Sequence, residues 1–122
     1  MPVSTKNFKP GEVLFAEGEP ANSLFIIRKG AVSIRKMKTK TYIEVAKAAA
    51  NEVLGELAFF DRQPRSATAV ALIDVEAIEI TFDSMEKIYA SMPDYMKTIV
   101  AAMAERLRKA NEIIRTMQQK DS

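Results

Sequence analysis

The sequence contains no cysteine and no histidine. Without cysteine there is no disulfide, no thiol nucleophile and no thiolate for a metal. Without histidine the commonest general base near neutral pH and the commonest transition-metal ligand are also missing. A protein that is not an enzyme, with no metal and no cofactor, is therefore expected. A small barrel built around a metal centre, the natural enzymatic rival, would lack its usual ligands. Charge of one sign is scarce too: eighteen basic against sixteen acidic side chains leave +2, too little to release many counterions from a nucleic-acid backbone. No apolar run reaches the roughly 18 residues of a membrane span, and Met1 to Asn7 lacks a signal-peptide pattern. The expectation is a cytoplasmic protein with no direct contact to nucleic acid or membrane.

What remains, 122 residues with 48% hydrophobic and 28% charged side chains, suits one compact domain. The few glycines and prolines act as punctuation. Pro10-Gly11, Gly18, Pro20 and Gly30 separate short apolar runs, so strands are expected at 13–15, 24–28, 31–35 and 42–46, with a second group at 67–72 and 75–80. Lys29-Gly30 reads as a tight hairpin. Short strands so closely spaced point to a small barrel or sandwich.

The period changes after Thr81. Asp83 or Ser84 can N-cap a short helix carrying Met85, Ile88 and Tyr89, which should stop near Pro93. From Pro93 to about Gln118 neither glycine nor proline intervenes. Apolar residues there fall at Met96, Val100, Met103, Leu107, Ala110, Ile114 and Met117, a heptad rhythm. Tyr95, Ile99 and Met103 are expected to lie on the chain's own barrel. The seam from Val100 through Met103, Leu107, Ala110 and Ile114 to Met117 is expected to pair with a second copy as a parallel homodimer. The layout is then a core at 1–92 and a lid and dimerisation helix at 93–122 of the same domain.

The chemistry is concentrated in residues 54–68, LGELAFFDRQPRSAT. Gly55 lets backbone approach a ligand, and a short helix starting at Glu56 would aim free N–H groups at an anion. Arg65 offers a planar fork for two phosphate oxygens, and the small Ser66 and Ala67 keep the following amides reachable. A carboxylate beside a phosphate site makes sense if it accepts from a neutral hydroxyl, which fits Glu56 to a ribose. From the residues alone, a structural ion pair between Glu56 and Arg65 at a barrel rim stands as the competing explanation.

The pattern Gly55, Glu56, Ala58, Pro64, Arg65, Ser66, Ala67 resembles the phosphate-binding cassette of the cyclic-nucleotide-binding domain family. The similarity extends from Pro10-Gly11-Glu12 through Gly18-Glu19-Pro20-Ala21 and Leu24 to Gly30 and the final helix, and is closest to the sensor domains of bacterial catabolite activators. It implies an α+β fold, a jelly-roll-like antiparallel β-barrel with a short phosphate-binding helix and C-terminal helices, the last one long. It also implies that Glu56 binds the ribose 2′-hydroxyl, Arg65 the cyclic phosphate and Ser66 the phosphate through amide and hydroxyl. Leu57, Ala58 and Ala67 would add backbone donors or close packing. Ala110 and Asn111 stand where the family's base-reading hydroxyl pair sits, which leaves the Asn111 amide to meet adenine or to remain a solvated polar position. Asn51-Glu52 replaces the usual Gly-Asp turn before the cassette, and Asn tolerates the left-handed region that turn needs.

Ser66 resembles the bacterial cAMP receptors, whereas threonine there accompanies cGMP binding in eukaryotic relatives. The expected ligand is therefore cAMP, with cGMP and a ligand-free scaffold as alternatives. The bacterial activators continue into a helix-turn-helix after the long helix, and this sequence stops at Lys120-Asp121-Ser122. Output through another domain or a separate protein partner is expected.

Overall fold

The computed structural model describes residues 3–56, 58 and 63–120. Among them are β1 (Val3–Phe8), β2 (Val13–Phe15), β3 (Ser23–Lys29), β4 (Val32–Lys38), β5 (Thr41–Ala48), β6 (Val53–Leu54), β7 (Thr68–Ala71) and β8 (Val75–Thr81), then the helices α1 (Phe82–Ser91) and α2 (Asp94–Lys120). The strands form two antiparallel four-stranded sheets, ordered β1-β8-β3-β6 and β2-β7-β4-β5. The sheets stay separate, so the barrel is a two-sheet, jelly-roll-like one. Along the chain, the division between two compact units falls between Met85 and Glu86.

One apolar core serves both sheets. Phe15, Phe25, Ile27, Val32, Ala48, Ala69, Ala71, Val75 and Ala77 are buried together, with Phe8, Leu14, Ile34 and Leu54 packed against them. Ile27 and Val32 are fully covered, each contributing about 1.5–3 kcal/mol of transfer free energy. The hairpin between β3 and β4 turns at Gly30, whose φ is +104° and whose missing Cβ would collide with the Asp74 carbonyl. Only glycine combines that backbone with that proximity.

The apolar strands fall where the alternation puts them, longer by one to three residues at several ends. Two strands carry no such signal. In β1, Val-Ser-Thr-Lys-Asn-Phe offers little hydrophobic contrast, yet it pairs along its length with β8, from Val3 opposite Ile80 to Phe8 opposite Val75. β6 is a two-residue pairing with Phe25 and Ile26. Just before β6, Asn51 adopts φ +73° and donates its N–H to the Ile27 carbonyl at 2.7 Å. That is the left-handed turn expected of an asparagine there.

The cap of α1 is Thr81, two residues before Asp83 and three before Ser84. Thr81 Oγ1 accepts from the Ser84 N–H at 3.2 Å, and Phe82 and Ser84 are buried. Thr81 closes β8 and opens the helix with the same residue. In α2, Met96 and Val100 are half-buried and Ala104 is buried, a stripe with a step of four. Tyr95, Ile99 and Met103 are 68%, 49% and 64% exposed. They lie one position back from the covered stripe, about 100° around the helix. No helix among the described residues is long and apolar enough to cross a membrane.

Candidate functional site

Arg65 is held by backbone before its side chain is considered. Its N–H donates to the Glu19 carbonyl at 2.8 Å, and its own carbonyl accepts from the Gly18 N–H at 2.8 Å. Next to this reciprocal pair, the Glu17 N–H donates to Thr68 Oγ1 at 2.9 Å. The Gly18-Glu19 turn is thus the clamp that fixes where Arg65 begins.

The side chain then runs inward. Arg65 is only 6% exposed, and its guanidinium lies 4.3 Å from the centroid of the Phe15 ring. Phe15 stacks on Phe25, which meets Phe8 edge-on, so the cation rests on an aromatic floor. Nη2 donates to the Ser23 carbonyl at 2.8 Å and, at a longer 3.4 Å, to Ser23 Oγ. Nη1 is buried and has no hydrogen-bond partner. A Cβ at Gly55 would stand 2.5 Å from Nη1, and Gly55 itself has φ +93°. The glycine therefore satisfies two demands, a left-handed backbone and room for the guanidinium.

Burial pushes Arg65 below its ordinary pKa, while the negative charges of Glu19 and then Glu79 pull it back up. A desolvated cation with unused N–H groups favours an anion arriving from outside. No metal-binding cluster occurs among the described residues.

The expected site residues divide as follows. Gly55 and Arg65 are in direct proximity. Glu56 and Ala58 have helical backbone and are half-buried; Pro64 and Ser66 are exposed, and Ala67 is buried. Glu56 does not form the rim ion pair with Arg65, whose opposing charges are Glu19 and Glu79. Leu57 lies outside the described residues, as do the side chains of Asn111, Ile114 and Met117. Of the remaining seam, Val100 is half-buried, whereas Met103, Leu107 and Ala110 are exposed.

Ser23, Glu79, Phe15 and Glu19 join the site without having been foreseen. One signal was available: Val75, Ala77 and Glu79 share the alternation of β8, which puts a carboxylate in a row of buried apolar residues.

A family model described as "Cyclic nucleotide-binding domain" matches residues 5–92. The chain is 31% identical over 106 residues to the CRP-like cAMP-activated global transcriptional regulator of Mycobacterium tuberculosis, covering 86% of this chain and 47% of that protein. It thus spans about half the length of this curated relative. Among solved structures, the cAMP-bound form of the EAL enzyme Bd1971 is 28% identical with a TM-score of 0.70, covering 95% of this chain and 32% of that one. Its cGMP-bound form gives 27% and 0.71, covering 89% and 29%. The catabolite activator protein of Thermus thermophilus, at 22% identity, shares the fold with a TM-score of 0.76 over 95% of this chain and 55% of its own.

Proposed function

The chain belongs to the cyclic nucleotide-binding domain family, and from that premise we propose that it is a regulatory sensor whose ligand is cAMP. The observation that carries this is the buried Arg65 guanidinium, stacked on Phe15 with Nη1 unpartnered beside Gly55. A cyclic phosphate supplies the charge and the acceptors that such a group needs. In this proposal Arg65 binds the phosphate, Ser66 adds its amide and exposed hydroxyl, and Leu57, Ala58 and Ala67 contribute backbone donors or close packing. Glu56 accepts from the ribose 2′-hydroxyl, and Asn111 meets the base.

Occupancy is transmitted through α2, as a homodimer, to an output domain or a partner protein. A ligand can do this only by preferring one arrangement of the helix over another. The relative in Mycobacterium tuberculosis is described as cAMP-activated, which favours cAMP. The cGMP-bound form of Bd1971 supports cGMP as a second reading.

Calorimetric titration with cAMP, cGMP and 2′-deoxy-cAMP tests the proposal. Tight binding of cAMP, weaker binding of cGMP and a clear loss with the deoxy ligand are expected. Absence of binding by either cyclic nucleotide at micromolar levels would leave the scaffold alternative. Equal binding of the deoxy ligand would remove the Glu56 role alone.

A further inference from the structure

Glu79 occupies an unusual place for a carboxylate. It pairs with Phe25 across β8 and β3, while Ala77 pairs with Ile27, so it shares the inward face with core residues. Ser23 lies two residues before Phe25 on that same face and is 2% exposed. Its Oγ–H donates to Glu79 Oε2 at 2.7 Å. The other carboxylate oxygen lies 3.9 Å from Lys6 Nζ. Lys6, Glu79, Ser23 and Arg65 therefore form a polar chain from β1 across β8 and β3 to the cassette.

The order of that chain matters. A carboxylate and a guanidinium in a poorly solvated place ordinarily pair directly, often through both terminal nitrogens. Here one serine hydroxyl stands between them. It has a single proton, which goes to Glu79, and so only lone pairs face Arg65 Nη2. With the Ser23 hydroxyl on one oxygen of Glu79 and Lys6 near the other, the carboxylate has partners on β3 and β1, and Arg65 keeps Nη1 unpaired.

We propose that Ser23 is a positioning residue that keeps the Glu79 carboxylate off Arg65, leaving the guanidinium available to the phosphate of the ligand. The inference rests on Arg65 being that phosphate ligand. Glu79 is then a near counter-charge that lowers the cost of burying Arg65, and Ser23 prevents it from becoming a competitor.

The test is an affinity series with cAMP by calorimetry, with thermal melting of each ligand-free variant. Ser23→Ala should weaken binding about tenfold, because the freed carboxylate competes for Arg65. Adding Glu79→Gln to Ser23→Ala should restore affinity to within about threefold of the original, since the competitor has lost its charge. Such recovery is the non-additivity expected of residues acting on one partner. Ser23→Thr, which retains the hydroxyl, should bind as the unaltered chain does. If the alanine variant does not fold, Ser23→Cys, a similar volume with a much weaker donor, carries the same expectation.

Unchanged affinity in Ser23→Ala would overturn the inference, as would a double variant no better than the single one. A merely structural Ser23 would lower melting temperature and affinity together without rescue by Glu79→Gln. Arg65→Ala separates the two levels. If Arg65→Ala binds cAMP undiminished, the phosphate role of Arg65 fails. If it loses binding while Ser23→Ala does not, only the role of Ser23 fails.

Discussion

Arg65 carries opposite consequences for the free and the liganded protein. In the free chain it is a desolvated cation with an unused Nη1, and its compensation comes from Phe15, the Ser23 carbonyl and two nearby carboxylates. The backbone bonds of residue 65 to Gly18 and Glu19 do not depend on the side chain. Arg65→Met should therefore leave the free fold near its original stability, by denaturant titration, because it removes a desolvated charge with an unpartnered Nη1 while Glu79 keeps Ser23 and Lys6 as its own partners. The same change should remove about 2–4 kcal/mol of nucleotide binding, by calorimetry. Gly55→Ala should damage both properties: φ +93° and a Cβ 2.5 Å from Nη1 predict about 1–3 kcal/mol of backbone strain and a displaced guanidinium. Melting and binding measured on the one variant check this. Gly55 and Arg65 stand out in the sequence because residue type and spacing mark them within one short segment, and the structure brings the two together. Ser23 and Glu79 do not, because their contacts reach across 42 and 56 residues, and no periodicity reports such a meeting.

Among the elements, legibility follows hydrophobic contrast. β3, with Leu24, Phe25 and Ile27 buried, was read from its unbroken apolar run. β1 was not, because it is an edge strand whose inward residues include Ser4 and Lys6 opposite Glu79 and Ala77. Its place is set by backbone pairing to β8, which leaves no composition signature. The hairpin at Gly30 was legible from glycine alone, and the structure adds the reason it cannot be replaced. Gly30→Ala meets both φ +104° and the Asp74 carbonyl, so a loss of at least about 2 kcal/mol is expected on urea unfolding. Folded molecules of that variant should retain their nucleotide affinity, since Gly30 has no part in the Arg65 network. Thr81→Ala should cost about 1 kcal/mol by removing the cap at Ser84, readable in the same unfolding series.

At the scale of the molecule, the question is what covers the apolar side of α2. Tyr95, Ile99, Met103 and Leu107 are exposed at 68%, 49%, 64% and 37%, a contiguous stripe with a step of four residues. A stripe of this kind marks an interaction surface more often than a solvated one. The heptad pattern through Met103 and Leu107 makes a second copy the proposed occupant. Met103→Asp with Leu107→Asp should convert a dimer to monomers, as seen by multi-angle light scattering; persistence of the dimer would remove these residues from the interface. Linkage then gives a sharper demand. If saturating cAMP shifts the dimerisation constant by some factor, the two sites of a dimer share that factor, so dimerisation must shift the affinity of each site for cAMP by its square root. The monomeric variant should therefore bind cAMP with an affinity displaced by the square root of the factor by which saturating cAMP moves the dimer equilibrium of the unaltered chain. Equal affinities in monomer and dimer would mean that α2 associates without transmitting occupancy, and the sensor would have to act through another surface.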